Sequence, residues 1–225
     1  ALDGRVVAVS QRGHGQSRAG TEGYGFDRLA ADLVEVFDAL DVRDAVLVGH
    51  SMGGMVAQLL AVSRPDVVAR RVRRLVLVAT SPGRFAGSPL VGFVTAAAAG
   101  ALSGAESRGR GPIPKSLTVW GSRVSFGASP YPAEVELLRG MLDSMSPGAL
   151  AELLPNLVAF DVRDRLGSIS LPVHVVVGSR DVLTPPRTAR AIAERVPGAR
   201  LTFLPGCGHM VMLERAATLC DLVAE

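Results

Sequence analysis

The stretch VLVGHSMGGM, residues 46–55, decides how this sequence is interpreted. An apolar run enters the pattern Gly49-x-Ser51-x-Gly53, and apolar residues resume directly afterwards. This spacing predicts a sharp turn from a strand into a helix with Ser51 at its apex, because only small flanking residues leave room for the neighbouring backbone. Ser51 is therefore a candidate nucleophile. The alternative is a serine in a glycine-rich turn that binds an anion or nothing.

Apolar strands and amphipathic helices alternate on both sides of this stretch. Helices are expected over residues 26–40, 52–63 and 188–196 and from about residue 212, and strands over residues 5–9, 45–48, 75–79, 172–178 and 200–204. Most of these strand segments contain continuous apolar runs without a two-residue alternation, as in residues 45–48 and 75–79, which is typical of strands covered on both faces. The pattern predicts an α/β fold with a mostly parallel, doubly wound sheet.

The alternation is interrupted between residues 82 and 166, where two helical patterns occur without a clear strand. We interpret this segment as an inserted helical cap. The chain is thus divided into a first core part, 1–81, the cap, 82–166, and a second core part, 167–225.

A serine hydroxyl is a weak nucleophile unless a histidine accepts its proton and a carboxylate orients that histidine. Asp181 and His209 each follow a predicted strand, and the chain order Ser51, Asp181, His209 is the one used by α/β-hydrolases. Asp161 and Asp164 are rival acids, but they precede a strand. Asp181 could instead cap the turn that follows it, and His209 could be a loop histidine without a chemical role.

Four motifs together resemble the α/β-hydrolase family, most closely its esterase, lipase and lactonase branch. They are RGHGQS (12–17), GHSMGG (49–54), GSRDVLTP (178–185) and GCGHM (206–210). The resemblance covers residues 1–81 and 167–225. It implies that Ser51 is the nucleophile, His209 the general base and then acid, and Asp181 the orienting carboxylate. It also implies that the backbone N–H of Met52 is an oxyanion donor and that no cofactor is needed.

The second oxyanion donor of the family comes from a loop upstream of the RGHG motif, and this chain has no counterpart of that loop. We therefore expect a fragment or processed product that lacks the first strands, and we interpret His14 and Gly15 as shaping their own loop. The lost strands would leave an exposed sheet edge near residues 5–9, which predicts self-association.

The expected activity is hydrolysis of carboxylic esters through an acyl-enzyme on Ser51. Lactonase, thioesterase, C–C hydrolase and perhydrolase activities use the same side chains and stay open. A serine at this position argues against the dehalogenases and epoxide hydrolases of the family, which use aspartate. A catalytically silent ligand-binding protein, or an inactive fragment, is the alternative from another class.

The substrate is expected to be a small ester with an apolar acyl group. Candidate lining residues are His50, Leu90, Phe93, Trp120, Phe126 and Met210. The apolar members of this set could equally pack the cap helices together. Residues 90–102 are small, apolar and punctuated by glycine, which suggests a lid over the site.

Composition excludes several other classes of protein. The chain is 48% hydrophobic and 20% charged with a net charge of +3, and its arginines are scattered, so a nucleic-acid partner is not expected. The weakly polar stretch 89–102 is shorter than the roughly 20 residues of a membrane span. Cys207 and Cys220 form neither a disulfide framework nor a metal-ligand spacing, which indicates a reducing compartment, the cytoplasm, and no metal.

Overall fold

A computed structural model describes residues 4–18, 20–83, 123–127, 130–143 and 147–225 of the chain. Its strands are β1 (Ala45–His50), β2 (Val72–Val78), β3 (Val173–Gly178) and β4 (Arg200–Leu204). Its helices are α1 (Phe26–Ala39), α2 (Met52–Ser63), α3 (Pro65–Arg71), α4 (Pro132–Asp143), α5 (Pro147–Ala159), α6 (Pro186–Ala193), α7 (Val211–Glu214) and α8 (Ala216–Ala224). A short 3-10 helix (Arg163–Ser168) precedes β3.

The four described strands form one parallel sheet in the order β1-β2-β3-β4. Leu77 of β2 lies opposite Gly49 of β1 on one side and Val175 of β3 on the other. Each parallel connection needs a crossover, and the helices between the strands provide it. The predicted parallel α/β architecture is confirmed.

Helices cover both faces of the sheet. Leu75, Leu77 and Val175 belong to the larger core, which also holds the buried sides of α1, α2 and α6. Val76 and Val176 point the other way, into a smaller core closed by apolar residues of α8. Alternate residues of one strand thus serve two cores, which explains the consecutive apolar residues 75–78 of β2 and 175–177 of β3.

The RGHG loop is joined to α1 by an ion pair. Arg12 donates hydrogen bonds from Nε to Asp32 Oδ2 over 2.6 Å and from Nη2 to Asp32 Oδ1 over 2.7 Å. The hydrogen bond from Arg12 holds the pKa of Asp32 below its usual range. His14 Nδ1 is 3.0 Å from Arg12 O, so His14 does bond within its own loop.

The start of α4 illustrates how local sequence sets a helix boundary. Pro132 occupies the first helical position, where a missing N–H costs nothing. Glu134 accepts a hydrogen bond from the backbone N–H of Tyr131 at 2.8 Å, as in one half of a capping box. The predicted helix over residues 134–145 therefore begins two residues earlier.

The prediction of a buried strand over residues 5–9 is wrong. Within the described part of the chain these residues pair with no strand, and Val6 is 69% exposed. An apolar run becomes a strand only when a neighbouring strand accepts its backbone hydrogen bonds, and β1 takes its bonds from β2 alone among the described strands.

Two smaller differences are α3, which was not expected, and the last helix, which is divided into α7 and α8.

Most of the inserted segment lies outside the described residues. The candidate lining residues Leu90, Phe93 and Trp120 and the expected lid over 90–102 are among them. The division into a core and a cap stays a prediction. None of the helices that the structure describes combines the length and the apolar character that a membrane crossing needs.

Candidate active site

Ser51, Asp181 and His209 meet at one edge of the sheet. Ser51 directly follows β1, while Asp181 lies in the loop after β3 and His209 in the loop after β4. The carboxyl ends of parallel strands share one edge, so side chains far apart in sequence become neighbours there.

The backbone at Ser51 has the strained turn that the sequence predicts. Ser51 has φ 50° and ψ −120°, in a region that residues with a side chain rarely adopt. Its amide donates to Val78 O at 3.0 Å, and Thr80 Oγ1 donates to Ser51 O at 2.7 Å. A Cβ on Gly49 would lie 2.6 Å from the Cα of Gly54, so this crossing of two backbones requires glycine.

The three side chains form a continuous hydrogen-bonded line. Ser51 Oγ is 2.9 Å from His209 Nε2, and His209 Nδ1 is 2.9 Å from Asp181 Oδ2. Nδ1 faces a carboxylate, which only accepts, so the proton lies on Nδ1 and Nε2 is free to accept from the serine. The arrangement has the geometry in which a histidine can remove the proton of a serine hydroxyl.

Asp181 is held ionised although it is buried. Burial alone would raise its pKa, but the hydrogen bond from His209 and those from Thr184 together hold the pKa below the usual range. Oδ1 accepts from the amides of Leu183 at 2.8 Å and Thr184 at 2.9 Å. Asp181 thus does cap its turn, and it also faces His209.

Thr184 is a member of the site that the sequence analysis did not single out. Its Oγ1 donates to Asp181 Oδ2 at 2.7 Å and lies 3.2 Å from His209 Nδ1. The signal was present in the spacing, because a threonine three residues after an aspartate is placed to bond back to it.

His50 contacts the histidine loop. Its Nε2 donates to the backbone oxygen of His209 at 2.9 Å, and the centroids of the two rings are 4.8 Å apart. Burial, together with the charge that His209 can carry, lowers the pKa of His50 to about 3. His50 is therefore neutral at physiological pH and acts here as a hydrogen-bond donor. Its predicted contact with substrate stays a prediction.

Met52 is the first residue of α2. The first amides of a helix have no intrahelical acceptor and carry the positive end of the helix dipole. The Met52 N–H is thus suited to stabilise a negative charge that develops beside Ser51. Its role as an oxyanion donor stays a prediction, and so does the absence of a second donor from this chain.

Phe126 and Met210, two of the predicted lining residues, are buried in a small cluster with Leu138 of α4. The backbone oxygen of Ser125 accepts hydrogen bonds from the amides of His209 at 2.8 Å and Met210 at 3.2 Å. Residues 123–127, which lie in the segment predicted to be a cap, thus pack directly on the loop that carries His209. Contact of Phe126 or Met210 with substrate stays a prediction.

The rival acid Asp161 is engaged elsewhere, since both of its carboxylate oxygens accept from Arg163. In the part of the chain that the structure describes, no three His, Cys, Asp or Glu side chains are grouped as metal ligands.

Comparison with known proteins identifies relatives of this chain. It is 31% identical over 222 residues to a pimeloyl-(acyl-carrier protein) methyl ester esterase from Chromobacterium violaceum, covering 98% of this chain and 82% of that protein. It is 32% identical over 218 residues to the dihydrolipoyllysine-residue acetyltransferase component of an acetoin cleaving system from Pseudomonas putida, covering 96% of this chain and 54% of that protein. The chain therefore spans about half the length of the second relative.

Among solved structures, the enol-lactonase from Burkholderia xenovorans LB400 superposes with a TM-score of 0.79 at 27% identity, covering 95% of this chain and 76% of that chain. The sequence model of the alpha/beta hydrolase family matches residues 1–222. With the parallel sheet and the sharp turn at Ser51 already described, these matches establish that the chain belongs to the alpha/beta hydrolase family.

Proposed function

We propose that this chain is a serine hydrolase that cleaves carboxylic esters through an acyl-enzyme on Ser51. One observation carries the proposal: the line from Ser51 Oγ through His209 to Asp181 has 2.9 Å at both of its histidine contacts. At the first contact the serine proton can pass to Nε2, and at the second the carboxylate holds the proton on Nδ1 and orients the ring.

The reaction runs in two acyl transfers. Ser51 Oγ attacks the ester carbonyl while His209 Nε2 takes the hydroxyl proton, and the alcohol leaves with that proton as the C–O bond breaks. Water then attacks the acyl-enzyme, His209 takes a proton from the water and returns it to Ser51 Oγ, and the carboxylic acid is released. The Met52 amide donates to the oxyanion in both steps.

The esterase relative supports an ester as the substrate, and the lactonase neighbour supports a cyclic ester as the second candidate. Both reactions use the same acyl-enzyme. An apolar acyl group, of the kind that lipases accept, would contact His50, Phe126 and Met210, together with Leu90, Phe93 and Trp120. The experiment has to distinguish ester hydrolysis from the alternatives, which are thioesterase, C–C hydrolase and perhydrolase activity and a catalytically silent binding protein.

The test is a turnover screen of the purified chain and its Ser51→Ala variant. The substrates are p-nitrophenyl esters of increasing acyl length, a matched lactone and a matched thioester. We expect ester turnover that falls by a factor on the order of 10⁴ or more in the variant. Faster turnover of the lactone would replace the ester assignment, and no turnover of any substrate by the folded wild type would favour the silent protein.

Three further properties belong to the proposal. Residues 82–166 form a cap over the site, supported by the contact of Ser125 with the His209 loop. The chain works in the cytoplasm, supported by the free thiols of Cys207 and Cys220.

Self-association is the third property. Among the described strands β1 is an edge strand, and its Val48 is 42% exposed, so β1 takes the place of residues 5–9 as the associating edge. Size-exclusion chromatography with light scattering tests it, and a monomer at all concentrations would contradict it.

A further inference from the structure

The loop that carries His209 and the segment 123–127 touch through their backbones. A Cβ on Gly127 would lie 2.4 Å from the backbone of Cys207 and Gly208, and a Cβ on Gly208 would lie 2.3 Å from the amide nitrogen of Gly127. Real side chains do not tolerate such distances, so two glycines are required where the two segments cross. The contact brings two backbone N–H groups, those of Gly127 and Gly208, to the same place.

Glu214 joins these two N–H groups. Its Oε1 accepts from Gly208 N at 2.8 Å, and its Oε2 accepts from Gly127 N at 3.0 Å. Cys207 Sγ also donates to Oε1 over 3.6 Å. Burial and the neighbouring Glu214 charge raise the pKa of the Cys207 thiol to about 12, so the thiol stays protonated and can donate. A carboxylate is the side chain that can accept all three bonds, because it has two oxygens and no hydrogen.

The peptide groups around His209 are fixed on both sides. The amide of Gly208, just before His209, donates to Glu214. The amide of His209 donates to Ser125 O, and the backbone oxygen of His209 accepts from His50 Nε2. The ring therefore has little freedom to move away from Ser51. Displacements of about 1 Å in such a group can cost about 100-fold in rate.

We infer that Glu214 is a positioning residue, whose carboxylate bridges residues 127 and 208 and so keeps the His209 imidazole in line with Ser51. The inference rests on the proposed function, because it assigns Glu214 to the same reaction. Glu214 lies at the end of α7 and does not contact the reacting atoms; it acts through the backbone that precedes His209.

The decisive variant is Glu214→Gln, which keeps the size of the side chain but replaces one oxygen by an NH₂ group. That group would face a backbone N–H, so one of the two bridging bonds becomes a contact between two donors. We expect kcat for ester hydrolysis to fall about 10- to 100-fold with KM changed less than about twofold, since the geometry of the reacting groups is affected and the binding of substrate is not. The rate constant for labelling by a fluorophosphonate should fall in the same proportion.

Glu152→Gln is the matched control. Glu152 also accepts a backbone N–H, from Tyr24 at 2.7 Å, between an inserted helix and the core. It has no contact with the His209 loop among the contacts described. Among the contacts described only Oε1 of Glu152 accepts, so the glutamine amide oxygen can keep that bond. The control therefore removes a carboxylate charge without breaking a bridge, and its kcat should stay within about twofold of the wild type. Amide hydrogen exchange gives an independent readout: Gly127 and Gly208 should exchange faster in Glu214→Gln and unchanged in Glu152→Gln.

The outcomes separate this inference from the proposed function. A wild type that labels, together with a Glu214→Gln variant of equal kcat and labelling rate, overturns the positioning role and leaves the serine hydrolase intact. A fall in kcat no larger than that of the control also overturns it. A folded wild type that does not label overturns the hydrolase and this role with it. If Glu214→Gln fails to fold, Glu214→Asp decides: its shorter carboxylate can reach only one of the two amides, so an unchanged kcat would again contradict the inference.

Discussion

Asp181 divides its two carboxylate oxygens between two tasks. Oδ1 accepts the amides of Leu183 and Thr184, which builds the turn, while Oδ2 accepts Thr184 Oγ1 and His209 Nδ1, which orients the imidazole. One residue thus links the local structure of its loop to the proton position on His209. This division predicts how a conservative substitution fails.

In Asp181→Asn the amide oxygen is expected to stay on the turn, where two N–H groups need an acceptor. The NH₂ group then faces His209 Nδ1, which must lose its proton and accept instead, so the proton moves to Nε2. Nε2 can no longer take the proton of Ser51, and kcat should fall by a factor on the order of 10⁴. Steady-state kinetics with a p-nitrophenyl ester measure this, with circular dichroism as the control for folding. A variant within about tenfold of wild-type kcat would show that Asp181 does not orient His209.

The proximity of Ser51, Asp181 and His209 could be predicted from the sequence, because each follows a strand of one parallel sheet. The contacts of Glu214 and the backbone contacts of Ser125 could not be predicted in this way. Those interactions join segments that are distant in sequence through peptide groups, which every residue carries, so no side-chain pattern marks them in advance.

At the scale of elements, the strand β1, the turn and α2 form one continuous unit. The Gly49 position, where a Cβ would meet the backbone at Gly54, is the narrowest point of that unit. The apolar run and the glycine spacing predicted this unit because its requirements are local. The segment 5–9 has a similar apolar pattern, but its state depends on a partner strand, and a pattern cannot supply one.

Gly49→Ala should destabilise the protein by roughly 3 kcal/mol or more, because the new methyl group meets backbone that cannot move aside. Gly140→Ala is the matched control. Gly140 lies inside α4, and outside its own helix backbone no atom of the described residues lies within 4 Å of an added Cβ, so the exchange should be neutral or raise stability by about 0.5–1 kcal/mol. Urea unfolding of both variants gives the free energies. Equal stabilities would contradict the close approach of the two backbones at Gly49.

At the scale of the whole molecule, the second core beneath α8 contains a buried histidine. His174 of β3 bonds through Nε2 to Thr202 Oγ1 at 2.8 Å, and Nδ1 has no hydrogen-bond partner among the described residues. Burial lowers the pKa of His174 from its ordinary value of 6.5, Arg200 and Arg74 lower it further, and Glu225 opposes them. His174 is therefore neutral in the folded protein under conditions where the unfolded chain would protonate it.

The stability of the fold should consequently depend on pH. Below the ordinary histidine pKa of 6.5, His174 is protonated in the unfolded state but stays neutral in the folded state. The free energy of unfolding therefore falls as the pH falls. Between about pH 7 and pH 5 we expect the wild type to lose more stability than His174→Gln, by at most about 2 kcal/mol. Denaturant titrations at the two pH values measure the difference. Parallel losses in both proteins would show that His174 is not responsible.

The central claim, an activated Ser51, is tested most directly by covalent labelling. Purified wild type and Ser51→Ala are treated with a fluorophosphonate probe, and the intact mass of each is measured. The account predicts one adduct per chain in the wild type and none in the variant, because only a serine whose proton passes to His209 reacts readily. A folded wild type that stays unmodified, or a Ser51→Ala variant that is labelled equally, would contradict it.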